Sequence, residues 1–230
     1  MPVRNNIIVF DFETGGINPH ECQPTQLAAL ALDGANLNML ASFNSEMWAE
    51  TDDDKAIEKG LSPLQAGALK VTGKTREQIA KAPKPSAVWS KFVAFVKKYN
   101  KNNTQWGRPI PCGYNIINYD LPIINRMAKV FGPYDDKYLR STLFHPIRKI
   151  DMLDDMFMWT ESDPSVTSIS MDNVRKRMGM SEDGAHDALQ DVKDTANIMI
   201  KFLKTRRAIY KSSVSKKIDK AFASGGLYIE

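Results

Sequence analysis

The sequence predicts an α/β domain on a mixed sheet, and three observations carry that prediction. A β-branched and aromatic run opens the chain, two more apolar runs flank an Asp-Gly pair, and helical periodicities then alternate with short strand-like runs. Asn6 to Phe12 (NIIVFDF), closed by Thr14-Gly15-Gly16, reads as a buried strand followed by a turn. Gln26 to Leu32 and Asn36 to Phe43 lie either side of Asp33-Gly34, a hairpin signal that adds two antiparallel strands. From Asn44 to Gly73 the pattern loosens into polar residues, with Ser62-Pro63 as the expected helix start. Thr75 to Lys81 and Ser86 to Tyr99 are predicted helices, the second presenting Val88, Trp89, Phe92, Val93, Phe95 and Val96 to a core. Ile110 to Tyr114 is a fourth strand and runs into a helix over Ile116 to Val130, where Pro122 is tolerated only in a first turn. Ile147 to Met152 supplies a fifth strand, Ser170 to Met178 a helix, and His186 to Leu203 the clearest amphipathic helix.

With 230 residues and 43% hydrophobic content the chain can bury its own core. A formal charge of +4, from 31 Lys+Arg against 27 Asp+Glu, suits a nucleic-acid ligand in sign without announcing one. Cys22 and Cys112 have no CxxC partner, which argues against a thiolate zinc site and for a reducing compartment. No stretch approaches the ~20 apolar residues of a membrane helix, so the expectation is a soluble, cytoplasmic protein without a membrane partner. Neither His20 nor His145 receives a role.

The chemistry is concentrated in acids. Asp11 and Glu13 stand two apart on the first strand and project from one face of it. Their neighbours Ile7 to Phe10 and Phe12 are apolar, so two carboxylates there need cations. Asp120 lies where a helix begins, and the bland alternative is an acid favoured by the helix dipole. His186 and Asp191 are five positions apart, roughly 140° around a helix, so the histidine must sit at or before the first turn to share a site with Asp191. Asp187 and Asp194 are the local competitors and read as a solvated face with Lys193.

Four carboxylates and a histidine suit phosphodiester hydrolysis. Two divalent ions about 3.5–4 Å apart supply a nucleophile and stabilise charge on the phosphate and leaving oxygen. Oxygen ligands favour Mg²⁺ or Mn²⁺, and a histidine of ordinary pKa ~6.5 can take the water proton.

DFET (Asp11 to Thr14), NIINYD (Asn115 to Asp120) and AHDALQD (Ala185 to Asp191) resemble, in order, the three exonuclease motifs of the DnaQ-like, or DEDDh, superfamily. VTGKTREQI (Val71 to Ile79) resembles a further segment of its polymerase-proofreading members. The resemblance implies a ribonuclease H-like fold, a five-stranded mixed sheet flanked by helices, and 3′-5′ exonuclease activity. It implies metal ligands Asp11, Glu13, Asp120 and Asp191, with Asp11 shared between two Mg²⁺ or Mn²⁺ ions, and His186 as general base. Phe12 and Thr14, through their backbone, with Gly15 and Asn115, would border the terminal nucleotide. The implied partner is a single-stranded 3′ end, DNA favoured and RNA open, and a polymerase or other replication protein. A catalytically silent accessory subunit is the rival reading. Residues 1–204 are expected to form the exonuclease domain and 205–230 a basic extension, read equally as a phosphate clamp or a solvated helix packed through Ile209, Ile218 and Phe222. Trp48, Trp106 and Trp159 are candidates for base stacking, with core packing or a partner surface the better reading of each.

Overall fold

The computed structural model describes residues 4–181 and 184–211, so the basic extension from 212 onward, with Ile218 and Phe222, lies outside the described residues. The first apolar run forms β1 (Ile7–Thr14), which pairs antiparallel with β2 (Pro24–Leu32). Both strands are buried almost end to end, as near-continuous apolar runs in a sheet centre require. β3 (Met39–Glu46) pairs antiparallel with β2 and alternates between exposed and half-buried residues, the mark of an edge. It begins at Met39 rather than Asn36 because the Asp-Gly pair does not make a two-residue turn. Asp33 Oδ1 accepts from the N–H groups of Ala35 and Asn36, and Leu37 takes a left-handed φ of 66°, which lengthens the loop.

The polar excursion folds into two short helices, α1 (Asp53–Glu58) and α2 (Ala66–Thr72). Ser62-Pro63 lies between them and starts neither, a correction to the expected helix start. α3 (Arg76–Lys81) opens on a capping box between Thr75 and Gln78. α4 (Pro85–Lys97) carries its proline at the first turn. β4 (Ile110–Gly113) runs parallel to β1. α5 (Asp120–Phe131) begins later than Ile116. Pro122 lacks the N–H that an interior position would need, so the helix must start just ahead of it, and Asn115, at φ 60°, turns the chain before it.

Residues 132–148 contain a two-stranded ribbon, β5 (Tyr134–Asp135) with β6 (Arg140–Ser141). The fifth sheet strand, β7 (Ile150–Asp151), is shorter than the expected Ile147 to Met152. His145 Nδ1 accepts the N–H groups of Ile147 and Arg148, which commits that backbone to a turn. Asp151 then caps α6 (Met152–Thr160), a helix that the sequence did not signal. α7 (Met171–Arg177) and α8 (Ala188–Lys211) follow. The chain divides within α8, after Ala196, into two compact units.

The five-stranded sheet has the order β3-β2-β1-β4-β7 and is mixed, as expected. Ile8, Phe10 and Phe12 of β1 and Leu27, Ala29 and Ala31 of β2 meet Trp89 and Phe92 of α4 and Ile123, Ile124 and Met127 of α5 in one core. Phe10 stacks on Phe144 with ring centroids 5.3 Å apart. Because side chains alternate along a strand, Val9, Asp11 and Glu13 point to the opposite face. Among the described residues no helix is long and apolar enough to cross a membrane.

Candidate active site

Asp11 and Glu13 from β1 and Asp191 from the first turn of α8 bring carboxylate oxygens within 4.8 Å of one another. The fourth acid stands apart from that group. Pairing between β1 and β4 ends at Val9↔Cys112, which leaves the next part of the β1 edge without a strand partner. Phe12 N–H therefore donates to Asp120 Oδ1 at 3.0 Å, and Asp120 is only 2% exposed. Asp120 thus braces the strand between the two β1 acids while its carboxyl feels the negative charge of Asp11.

All four carboxyl groups are pushed up. Burial, then Asp191, raises Asp11 from 3.8 to about 7, with Arg175 opposing. Burial, then Asp11 and Asp191, raises Glu13 from 4.5 to about 8, with Lys74 opposing. Burial, then Asp11, holds Asp120 well above the carboxylate range, and burial also raises Asp191 against the pull of Arg175. Negative charge is crowded here beyond what the nearby side-chain cations offset, and a divalent cation with oxygen ligands fits that donor set.

His186 lies just before α8 with φ 66°, and its backbone N–H donates to Asp191 Oδ1 at 3.2 Å. The left-handed residue removes the angular mismatch of a five-residue spacing by taking the histidine off the helix. Its ring is partly exposed, with Nε2 3.9 Å from Asp172 Oδ2.

The residues expected to border a nucleotide divide. Thr14 is buried, its Oγ1 2.7 Å from the Gly16 carbonyl and 2.5 Å from the Tyr119 hydroxyl, so its side chain shapes the Gly15–Gly16 turn. A Cβ on Gly15 would come 2.2 Å from Leu64 Cδ2, so the loop before α2 covers that glycine closely. Phe12 places its ring in the core. Asn115 is half-buried, with its N–H held by Asp151 Oδ1 at 2.7 Å and its own Oδ1 accepting from Asn118 Nδ2.

Three residues escaped the sequence reading. Asp151 also accepts from Ile117 N–H at 3.0 Å and caps α6, which ties down the loop leading to Asp120. Lys74, in the VTGKTREQI segment, donates to Gln26 Oε1 and Glu46 Oε1, and Gln26 is the register partner of Glu13. Arg175 is 1% exposed and donates to Asp191 Oδ1 at 2.6 Å, Asp194 Oδ2 at 2.8 Å and Asp172 Oδ1 at 3.2 Å. Asp194, read as part of a solvated face, is instead buried against it. The one local signal for Arg175 is its i,i+3 spacing from Asp172. Of the three tryptophans, Trp106 and Trp159 are exposed, while Trp48 is half-buried under Lys84 Nζ at 3.6 Å from its ring.

The exonuclease (RNase T) family profile matches residues 8–199, a span that contains every residue of the acidic cluster. The chain belongs to this exonuclease family. It is 27% identical over 217 residues to exodeoxyribonuclease I of Escherichia coli K12, covering 89% of this chain and 41% of that protein. The exonuclease fold recurs in E. coli exonuclease I solved with a dT13 oligonucleotide (TM-score 0.66, 19% identity, 95% of this chain and 44% of that one). A zinc-bound E. coli exonuclease I complex with single-stranded DNA superposes similarly (TM-score 0.64, 21% identity, 89% and 41%). So does exonuclease I of Methylocaldum szegediense (TM-score 0.64, 18% identity, 95% and 43%). The chain spans less than half the length of these relatives.

Proposed function

We propose that the chain is a metal-dependent 3′-5′ exonuclease that hydrolyses phosphodiester bonds at the 3′ ends of single-stranded DNA and releases nucleoside 5′-monophosphates. The convergence of Asp11, Glu13 and Asp191 beside His186 carries this reading, and E. coli exonuclease I bound to oligonucleotides supports the choice of DNA. Residues 1–204 are the catalytic domain and 205–230 a basic extension. Asp11, Glu13 and Asp191 would hold one Mg²⁺ or Mn²⁺, and Asp11 with Asp120 would serve a second. Bound there, two divalent ions supply Lewis-acid stabilisation of the phosphate and acidify the attacking water.

The remaining work falls to the chain. His186, freed from the helix by its left-handed backbone, takes the proton of the attacking water at an imidazole nitrogen. Asp120 keeps Asp11 and Glu13 in place through Phe12 N–H. Backbone at Phe12, Thr14 and Gly15 and the amide of Asn115 border the terminal nucleotide, and a polymerase or other replication protein is a partner consistent with VTGKTREQI.

The test is digestion of a 5′-labelled single-stranded DNA, its RNA counterpart and a duplex, with Mg²⁺, Mn²⁺ or EDTA. The expected result is a metal-dependent ladder that shortens the single-stranded DNA from its 3′ end and disappears in Asp11→Asn. Preference for RNA would move the substrate, and no cleavage of any would favour the accessory subunit.

A further inference from the structure

Arginine is rarely fully buried unless paired, and Arg175, in the last turn of α7, is almost entirely so. Its three nitrogens are spread over three different carboxylates: Nη2 on Asp191, Nε on Asp194 and Nη1 on Asp172. Only a planar guanidinium with fixed donor directions meets acceptors in this arrangement, and an ammonium group on a lysine stem cannot. Asp194 is itself buried, so the pair Arg175–Asp194 is a rigid anchor joining α7 to the first turns of α8. The contact to Asp191 is what bears on chemistry. Asp191 Oδ1 takes both the Arg175 Nη2 donor at 2.6 Å and the His186 backbone N–H at 3.2 Å.

We propose that Arg175 is the positioning residue of the metal centre. It occupies Asp191 Oδ1, which leaves Oδ2 as the oxygen Asp191 would offer to an ion, and it holds the carboxylate where it meets Asp11 and Glu13. The same oxygen ties the backbone of His186 to this anchor, so one guanidinium sets the ligand and the residue carrying the general base together. The inference rests on the reading of the cluster as a metal centre. Arg175 is 1% exposed and so out of reach of a bound oligonucleotide, which puts its effect in metal affinity and kcat and not in KM.

The experiment uses the full chain and Mn²⁺ as probe. Wild type, Arg175→Lys, Asp194→Asn and Asp11→Asn are compared by circular dichroism, by free Mn²⁺ in electron paramagnetic resonance titrations, and by kcat and KM on single-stranded DNA. Arg175→Lys keeps the charge and loses the three-way fork. Outer-shell partners of metal ligands typically carry 10–100-fold in affinity or activity, so the expected result is Mn²⁺ affinity and kcat both lowered about 10–100-fold with KM unchanged. Asp194→Asn keeps the arginine and loosens its anchor, so it shifts both in the same direction by less; it carries the test if Arg175→Lys does not fold. A folded Arg175→Lys, or a folded Asp194→Asn in its place, with wild-type Mn²⁺ affinity and kcat overturns the positioning role while Asp11→Asn still abolishes binding. If Asp11→Asn binds Mn²⁺ and cleaves as wild type does, the metal centre itself is wrong and the positioning role falls with it.

Discussion

Asp11→Asn should stabilise the metal-free protein while abolishing its activity. In the fold Asp11 titrates near 7 against 3.8 in an ordinary setting, a difference of about three pH units. At 1.36 kcal/mol per unit this amounts to about 4 kcal/mol. The sign follows from the raised value. Below about pH 4 the carboxyl is neutral in folded and unfolded chains and costs nothing. As pH rises from there through about 7 the unfolded chain ionises freely and the folded one resists, so stability is lost and the full cost is present at pH 8. The amide of asparagine carries no charge at any of these pH values, and its removal of charge also relieves Glu13, whose own rise owes part to Asp11. In EDTA at pH 8 the variant should therefore melt above wild type, by up to about 4 kcal/mol and, for a chain of this size, roughly 2–4 °C per kcal/mol. The gap should close on acidification toward pH 4, and saturating Mg²⁺ or Mn²⁺ should narrow or reverse it by neutralising the wild-type cluster. Thermal melts by circular dichroism across this pH range, with and without metal, measure it. An Asp11→Asn protein that melts at or below wild type at pH 8 in EDTA would show that burial and the neighbouring carboxylates do not penalise the Asp11 charge, and the electrostatic argument for a cation would fail.

His186→Ala should keep its Mn²⁺ affinity and lose about 10²–10⁴-fold in kcat, because general-base help is worth that much; normal turnover with weakened Mn²⁺ binding would reverse its role. Asp151→Ala removes the acceptor shared by Asn115, Ile117 and Leu153 N–H groups. It should cost about 1–3 kcal/mol for each donor left buried without a partner and lower kcat by loosening the approach to Asp120, read by urea denaturation and single-turnover cleavage. Phe92→Ala removes a fully buried ring that meets Phe10, Phe43 and Trp89 at 5.6–6.3 Å. It should cost about 3–5 kcal/mol with kcat unchanged at temperatures where the protein stays folded, and a parallel fall in kcat would mean that the core and the site are coupled.

The motif order DFET, NIINYD, AHDALQD needed no structure to be seen, and neither did the strand that carries Asp11 and Glu13. These are local properties: a two-residue strand period puts both acids on one face, and an apolar run announces a buried strand wherever it sits in the chain. His186 was readable in the same way, since five residues on a helix cannot share a face and only a residue off its end resolves that; the φ of 66° is the form the resolution takes. Other features are decided by contacts between distant segments. Asp120 became a brace for β1 because β4 stops pairing at Cys112 and leaves a backbone N–H to be satisfied. The fifth strand shrank, and α6 appeared after it, because His145 and Asp151 divert the backbone into a turn and a cap. Asp194 read as a surface acid beside Lys193, and it is instead buried and paired with Arg175, 19 residues away. Periodicity reports which face a side chain shares with its neighbours along the chain; which opposite charge waits on that face is set by the packing of α7 against α8, and no local pattern encodes it.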